Sequence, residues 1–221
     1  MNGRFKNRRE AGRILSGKLS KYAHRPDVVV LALPRGGVPV GHEVARALGA
    51  PLDVMLVRKL GVPGNEELAM GAVASGGVRF LNRAVIESLR ITPEVLDEVE
   101  RRETLELMRR EALYRGNRPP LHVAGQTVIL VDDGIATGST MRAAIQVLRE
   151  QKAERIVVAT PAAPPTVAWE MQPLVDEFVA VIQPGDFFGV GQWYDDFTQT
   201  DDDTVYELLR SGAKLRRPIH A

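Results

Sequence analysis

The chain alternates between short apolar runs and longer segments in which apolar residues recur at helical spacing. The apolar runs are largely β-branched and predict five strands, at residues 28–33, 52–57, 128–131, 156–160 and 178–182. The amphipathic segments between them predict helices, at residues 7–22, 39–48, 93–114, 139–151, 165–171 and 204–210. Because strands and helices take turns, the pattern favours an α/β fold in which helices flank a mainly parallel central sheet.

Two segments depart from this alternation. Residues 70–81 predict a β-hairpin, because two apolar arms flank the turn-forming sequence Ser75-Gly76-Gly77. The helix at 93–114 is rich in both charges and carries an imperfect apolar stripe of Val95, Val99, Leu105, Met108 and Ala112. We interpret it as a solvated helix that flanks the sheet, with a partner-binding arm as the alternative.

Length and charge limit the choice of function. The 221 residues suffice for one domain, so we interpret residues 1–221 as a single domain with a charged helical insertion near 93–118. The 29 Lys and Arg residues are balanced by 28 Asp and Glu residues, and this net charge of +1 argues against binding to nucleic acid or to an anionic membrane.

The chain has no cysteine, which excludes disulfides and thiolate chemistry. Without an apolar run of about 18 residues or an apolar stretch near Met1, we expect a soluble cytoplasmic protein.

The most informative segment runs from residue 128 to residue 140. It reads VILVDDGIATGST and joins a buried strand, two carboxylates and a loop of small and hydroxyl residues. Asp132 and Asp133 follow the strand directly, and open α/β sheets bind ligands at the carboxyl ends of their strands. A helix begins near Gly138, because helical spacing relates the apolar residues Met141, Ala144, Ile145 and Leu148.

This arrangement suits a sugar phosphate. The first turn of a helix has backbone N–H groups without intrahelical acceptors and the positive end of the helix dipole, so it stabilises an anion. Gly134 and Gly138 allow close approach and positive φ, and the hydroxyl groups of Thr137, Ser139 and Thr140 supply further donors. The two aspartates only accept hydrogen bonds when ionised, which suits a vicinal diol. A diol beside a phosphate indicates a ribose 5-phosphate.

A second candidate anion site follows the first predicted strand. There the sequence Pro34-Arg35-Gly36-Gly37 leads into the helix at 39–48. Paired glycines let backbone amides turn toward a ligand, and the Arg35 guanidinium can meet phosphate oxygens in a forked manner. A tight strand-to-helix turn without a ligand is the alternative. Two such loops in one chain favour the anion-binding interpretation.

The segment at 128–140 resembles the 5-phosphoribosyl-1-pyrophosphate (PRPP) motif of the type I phosphoribosyltransferases, which joins an apolar strand, two acidic residues and a loop ending in Thr-Gly-Ser/Thr. An apolar strand ending in two aspartates also occurs in Walker B strands and phospho-acceptor pockets, but this chain has no G-x-x-x-x-G-K-[ST] loop. The resemblance implies that Asp132 and Asp133 hold the ribose hydroxyls and act in catalysis. It implies a 5-phosphate loop of Gly134, Ile135, Ala136, Thr137, Gly138, Ser139 and Thr140. It further implies a pyrophosphate loop of Arg35, Gly36 and Gly37.

Two further stretches are similar to parts of purine phosphoribosyltransferases. Residues 58–67 resemble the mobile loop that begins Arg-Lys-x-Gly, continues through Pro-Gly and closes over the site. By this resemblance Lys59 would face the pyrophosphate, and Glu66 or Glu67 would exchange a proton with the nucleophile. Residues 183–200 resemble the hood, in which Phe188 would stack on the base and Asp195 would lie near magnesium. Local packing of a small aromatic cluster is the alternative for the hood.

The resemblance implies a magnesium-dependent transferase that moves ribose 5-phosphate from PRPP to a nitrogen heterocycle, with a purine-type nucleobase favoured, and releases pyrophosphate. It also implies a homodimer. The alternative is a regulatory protein that senses PRPP or a nucleotide on the same fold without turnover. The first helix carries a basic patch that consists of Lys6, Arg8, Arg9 and Arg13. We interpret this patch as the solvated face of an amphipathic helix, with a contact to RNA as the alternative.

Overall fold

The computed structural model describes residues 3–116, 118 and 122–213. Eight strands lie in this part of the chain: β1 (Val28–Ala32), β2 (Leu52–Val54), β3 (Val57–Val62), β4 (Asn65–Ala74), β5 (Val78–Leu81), β6 (Thr127–Val131), β7 (Arg155–Ala162) and β8 (Glu177–Ile182). Five of them form an all-parallel sheet in the order β2-β1-β6-β7-β8. The other three form an antiparallel sheet in the order β3-β4-β5. The predicted α/β class with a mainly parallel central sheet is confirmed.

Helices cover both faces of the parallel sheet. The described residues contain α1 (Arg8–Lys18), α2 (Gly37–Leu48), α3 (Arg83–Ser88), α4 (Pro93–Tyr114), α5 (Ser139–Glu150), α6 (Pro165–Met171) and α7 (Asp202–Ala213). The helices α1 and α2 pack together on one face, and α5 covers the other. Within residues 3–116 and 122–213, no helix combines the length and the apolar composition needed to span a lipid bilayer.

The central strands are buried on both faces, which explains why their sequences are uninterrupted apolar runs. All residues of β1 and of β6 are buried. Successive side chains of β1 enter opposite cores, since Val30 packs in the core beneath α1 and α2 whereas Leu31 packs in the core beneath α5. The sheet is therefore a well-packed base, and its C-terminal edge carries the loops that were predicted to bind ligands.

The single strand predicted at 52–57 is wrong. The chain leaves the parallel sheet after Val54, and the buried residues Met55 and Leu56 connect it to the antiparallel sheet. The run of apolar residues therefore correctly indicates burial, but it does not correspond to one continuous strand. The side chains are buried on both sides of the break, so the hydrophobic pattern alone does not reveal it.

The predicted hairpin at 70–81 is confirmed and is longer than expected. Its first strand, β4, begins at Asn65 and pairs with both β3 and β5. The stretch interpreted as a mobile loop, 58–67, forms the β3-β4 hairpin, and Gly64 in its turn has a φ of +81°. The polar residues of this hairpin conceal its strands from a prediction based on apolar alternation.

The charged helix α4 lies where it was predicted and packs against β3 and α7. The predicted apolar stripe is largely wrong, since Leu105 and Met108 are exposed. The buried face instead consists of Val99, Glu103, Leu107 and Tyr114. A glutamate occupies the middle of this face because the guanidinium of Arg58 on β3 donates to Glu103 Oε2 at 2.8 Å from Nε. A buried polar residue with a partner is invisible to a search for apolar periodicity.

A buried ion pair fastens the end of α4 to the parallel sheet. Arg115 follows α4 and donates from Nε to Asp53 Oδ1 and from Nη2 to Asp53 Oδ2, both at 3.2 Å. The two side chains are 3% and 5% exposed, and the backbone N–H of Val54 also donates to Asp53 Oδ1, at 2.8 Å. A two-pronged pair with an additional hydrogen bond offsets the cost of removing the charges from water.

We expect Asp53→Asn to lower the free energy of unfolding by about 2 to 3 kcal/mol, because it removes the main counter-charge of the buried Arg115. Glu100→Gln is the matched control. It removes an ion pair between α4 and β5, at 2.8 Å from Arg79 Nη1, whose groups are much more exposed, and it should cost less than about 1 kcal/mol. Urea unfolding measures both variants, and equal losses would contradict the importance of burial at Asp53.

Candidate functional site

Two neighbouring strands carry the two loops that were predicted to bind anions. Because β1 and β6 pair in parallel, with Ala32 opposite Val131, both strands end at the same edge of the sheet. The loop after β1 spans residues 33–36 and leads into α2, and the loop after β6 spans residues 132–138 and leads into α5. The backbone N–H of Leu33 donates to the carbonyl oxygen of Val131 at 2.8 Å. The structure therefore brings the two predicted loops together.

Asp132 and Asp133, the acid pair, lie at the end of β6 and are largely shielded from water. Asp133 is 9% exposed, and its backbone N–H donates to Asp132 Oδ1 at 2.9 Å. Burial raises the pKa of the Asp132 carboxyl well above its usual range, and the like charge of Asp133 adds to this shift. The pair is a hydrogen-bond acceptor site whose negative charge is costly to maintain without a cation or a donating ligand.

Gly36 and Gly37 are required by close packing against the acid pair. A Cβ atom on Gly36 would collide with Asp133 Oδ2, and one on Gly37 would lie 2.8 Å from the carbonyl oxygen of Val131. Gly36 has a φ of −62°, which any residue can adopt, so lack of space explains this glycine. The candidate pyrophosphate loop thus lies directly against the candidate ribose-binding carboxylates.

The N-terminus of α5 has the features of an anion site. Gly138 precedes the helix with a φ of +75°, and no side chain caps the helix. In the first turn, the N–H of Arg142 donates to the carbonyl oxygen of Gly138 at 2.8 Å, so the intrahelical hydrogen bonds begin there and the N–H groups of the residues before Arg142 face the loop. The hydroxyl oxygens of Thr137 and Ser139 lie 3.2 Å apart beside these amides. Backbone and side-chain donors therefore converge at one point.

The remaining residues of this loop offer mainly backbone groups. Ile135 is buried, and its N–H donates to a carbonyl oxygen of β7 at 2.9 Å, so its side chain belongs to the core. Ala136 and Thr140 are exposed. The expectation of positive φ is wrong for Gly134. Its glycine is explained by close approach instead, since a Cβ atom there would collide with Val190 of the hood.

Arg8 reaches the acid pair from the first turn of α1. Its Nε donates to Asp133 Oδ2 at 2.7 Å, and its Nη1 donates to the carbonyl oxygen of Thr198 at 2.8 Å. Its guanidinium carbon lies 3.9 Å from the centre of the Phe197 ring, and the side chain is 11% exposed. The expected solvated face is therefore wrong for Arg8. The sequence pattern shows a basic helix, but it does not show that this helix begins beside the acid pair.

The hood, residues 183–200, is tied to the acid pair through aromatic residues. Tyr194 Oη donates to the carbonyl oxygen of Asp133 at 2.6 Å, and its ring stacks on Phe197 with 5.1 Å between ring centres. Burial raises the pKa of Tyr194 above its ordinary value, so its hydroxyl group stays protonated and remains a donor. Phe188 is 94% exposed. Local packing thus explains Tyr194 and Phe197 but leaves Phe188, the predicted stacking residue, accessible to a planar ligand.

Asp195, the predicted magnesium-side residue, lies on the other side of this hood segment. Its carboxylate is 3.6 Å from Arg4 Nε. Because Tyr194 is extended, with φ −126° and ψ 141°, the side chain of Asp195 points away from the acid pair that Tyr194 contacts. Among residues 3–116, 118 and 122–213, no three His, Cys, Asp or Glu side chains form a metal cage. A role of Asp195 toward a metal stays a prediction.

Two arginines are among the residues that line a small cleft of about 30 Å³ beside the two loops. The cleft extends from Pro34 and Thr140 to Arg58 and Arg110, and glutamates of α4 hold both guanidinium groups. The peptide bond between Pro34 and Arg35 is cis. The sequence pattern predicted that Arg110 lies on the charged surface of a helix. In the structure α4 packs against β3, and this packing places Arg110 in the cleft.

The other residues predicted to meet pyrophosphate or to move a proton lie on separate elements. Arg35 Nη1 is 3.7 Å from Asp202 Oδ1 at the start of α7. Lys59 is half-buried on β3, and Glu66 is exposed on β4. The side chain of Glu67 lies outside the described part of the chain. The roles assigned to these residues stay predictions.

The profile of the phosphoribosyl transferase domain matches residues 5–177. The chain is 46% identical over 205 residues to the "Putative phosphoribosyl transferase Rv0571c" of Mycobacterium tuberculosis, which covers 93% of this chain and 46% of that protein. It is 30% identical over 119 residues to the bifunctional protein PyrR of Brevibacillus brevis, with coverage of 52% and 65%. The crystal structure of TT1426 from Thermus thermophilus is similar with a TM-score of 0.86 and 42% identity, covering 95% of this chain and 99% of that chain.

These matches differ in what they cover. The chain spans about half the length of the curated Mycobacterium tuberculosis relatives that it matches. The family profile includes α1, both glycine loops and the acid pair, whereas the hood lies beyond its last matched residue, 177. Because the profile matches well over half of the sequence and contains the features that define the site, the chain belongs to the phosphoribosyl transferase domain family.

Proposed function

We propose that this protein transfers ribose 5-phosphate from PRPP to a nitrogen heterocycle, with a purine-type nucleobase as the favoured acceptor, and releases pyrophosphate. One observation supports this most strongly: a short loop joins the acid pair to the N-terminus of α5, which no side chain caps, and a second glycine loop lies against the same carboxylates. PRPP carries a phosphate, a diol and a diphosphate on one sugar. It therefore needs three binding features side by side.

Binding of the sugar would use groups that are already in place. The 5-phosphate would accept hydrogen bonds from the N–H groups of residues 139–141 and from the hydroxyl groups of Thr137 and Ser139. The ribose hydroxyls would donate to the acid pair. Arg8 engages Oδ2 of Asp133, which leaves Oδ1 for a hydroxyl group.

The reaction exchanges one bond at C1 of the ribose. The C1–O bond to pyrophosphate breaks, the C1–N bond to the heterocycle forms on the opposite face, and the heterocycle loses its N–H proton. The transition state resembles an oxocarbenium ion, as in cleavage of a glycosidic bond. The acid pair would place negative charge near this cation, and the hood would exclude water. Glu66 and Glu67 on the β3-β4 hairpin are the candidates to accept the proton.

The leaving pyrophosphate needs positive charge around it. Arg35 and Lys59 are the proposed contacts, and Arg58 and Arg110 line the neighbouring cleft. Magnesium, when bound, would neutralise the diphosphate oxygens and orient the leaving group. Mg²⁺ usually keeps several waters and binds through substrate phosphates with one or two carboxylates, so the diphosphate itself would hold most of the ion. Asp195 faces Arg4 and not the acid pair, so it is not proposed as a ligand of this ion.

A regulator that binds PRPP or a nucleotide without turnover is the alternative function. Measurement of pyrophosphate release from PRPP with purines, pyrimidines and other nitrogen heterocycles distinguishes the two. An enzyme releases pyrophosphate with at least one acceptor. Tight binding of PRPP without release across the panel would identify a sensor. No binding of PRPP would refute the enzyme, and no binding of PRPP or of a nucleotide would refute both functions.

The double substitution Asp132→Asn with Asp133→Asn should lower the affinity for PRPP at least about a hundredfold, because amide groups place donors where the diol needs acceptors. Isothermal titration calorimetry measures this change. Asp203→Asn, at an exposed acid of α7, is the matched control and should bind PRPP like the wild type. Unchanged affinity in the double variant would reject the ribose assignment.

The single substitution Asp132→Asn should stabilise the protein, and the gain should be larger at pH 8 than at pH 5. The folded state raises the pKa of this carboxyl. Stability is therefore full below the unfolded pKa and is lost as the pH rises through the higher folded pKa. Asparagine avoids this loss and still accepts the N–H of Asp133. Urea unfolding at the two pH values tests the expectation, which fails if the gain does not grow with pH.

Phe188→Ala should raise KM for the heterocycle about fivefold to tenfold and leave the affinity for PRPP unchanged, because it removes a stacking contact worth about 1 kcal/mol. Trp169→Ala is the control, since Trp169 is another exposed aromatic residue and lies on α6. Steady-state kinetics and calorimetry provide the two values. An unchanged KM, or a parallel loss of PRPP affinity, would argue against stacking by Phe188.

A further inference from the structure

Arg8 lies where helix electrostatics disfavour a cation. It is the first residue of α1, and the N-terminal end of a helix carries the positive end of the dipole. Asn7 already caps the helix, because its side chain accepts the N–H of Glu10 at 3.0 Å. Arg8 is therefore not needed to begin the helix. A shielded cation at this position depends on an anion from elsewhere in the chain, and Asp133 supplies it.

The backbone on both sides of the ion pair is held in place. The N–H of Phe5 donates to the carbonyl oxygen of Trp193, and the carbonyl oxygen of Phe5 accepts from the N–H of Asp195, both at 2.8 Å. The rings of Phe5 and Tyr194 also lie 5.5 Å apart. The segment before α1 thus pairs with the hood, and Arg8 extends from this joint toward the acid pair.

The acid pair binds a diol best when a cation lies beside it. An ionised carboxylate offers a diol two acceptor oxygens and no competing donor, but two shielded carboxylates side by side favour uptake of a proton. The positive charge of Arg8 acts against this uptake, since it lowers the pKa of Asp132 while burial and Asp133 raise it. A guanidinium group stays charged at any working pH.

We propose that Arg8 is a positioning residue for PRPP: it holds Asp133 through Oδ2 and leaves Oδ1 for the ribose hydroxyl, it places a positive charge beside the acid pair, and it holds the hood over the ribose by stacking on Phe197. The inference rests on the proposed function. It adds a residue of the N-terminal helix to a binding site that the sequence motif confines to residues 132–140. Arg8 acts through Asp133, so it is distinct from the residues that touch the reacting atoms.

The substitution Arg8→Gln tests the proposal, because it removes the charge and keeps hydrogen-bonding groups. Calorimetry should show that the affinity for PRPP falls about tenfold to a hundredfold at pH 7. The loss relative to wild type should shrink as the pH rises to 9, because the acid pair regains its charge. Arg8→Lys should restore most of the affinity, since its ammonium group reaches as far as the Nε of arginine. Arg9→Gln, at the exposed neighbour in the same turn, is the matched control.

A second measurement does not need PRPP. Carbon-13 NMR titration of the aspartate carboxyl groups should show that the acid pair takes up a proton at a higher pH in Arg8→Gln than in the wild type. An unshifted titration would overturn the proposed effect of Arg8 on the charge of the acid pair.

The outcomes separate this inference from the proposed function. If the wild type binds PRPP and Arg8→Gln binds it with the same affinity and pH profile, the inference is wrong. A loss that is equal at every pH and is not restored by Arg8→Lys also contradicts it, because that pattern indicates a structural role alone. If the wild type does not bind PRPP, the proposed function is wrong, and the carboxyl titration still decides whether Arg8 controls the charge of the acid pair.

Discussion

Because β1 and β6 run side by side in the same direction, both strands end at one edge of the sheet, and the site depends on this pairing. An antiparallel pairing would place the two glycine loops at opposite edges. Burial on both faces of the two strands stabilises their register. The loops then come so close that Gly36 has no space for a side chain beside Asp133. The packing of the sheet thus determines the spacing between the candidate diphosphate and diol sites.

At the end of β6, the charge that suits ligand binding conflicts with the burial of the acid pair. A diol is held best by ionised carboxylates, yet burial and the like charge of Asp133 both raise the pKa of Asp132. The guanidinium of Arg8 supplies a positive charge beside the acid pair. It comes from a distant segment, 125 residues before Asp133 in the sequence. The same side chain contacts Phe197 of the hood. A single ion pair therefore links the N-terminal helix, the acid pair and the hood, which are far apart in the sequence.

The antiparallel sheet and α4 form the wall of the neighbouring cleft. Helix α4 packs against β3 through a face that contains Glu103, and this glutamate binds Arg58 of the strand. The outer face bears the apolar residues Leu105 and Met108 instead. The arrangement reverses what hydrophobic periodicity suggests, because a charge that has a partner can be buried in place of an apolar group. It also aligns Arg58 with Arg110 along the cleft.

The sequence alone determined the α/β class, most helix and strand positions, and the loop from Asp132 to Thr140, because burial on two faces and helix initiation are local properties of the chain. The resemblance of the hood to purine phosphoribosyltransferases also singled out Phe188, which the structure leaves exposed. Tertiary structure decided what Arg8 contacts, why Gly36 and Gly134 are glycines, and which face of α4 is buried. Each of these depends on a partner more than 30 residues away, and local periodicity carries no information about such partners.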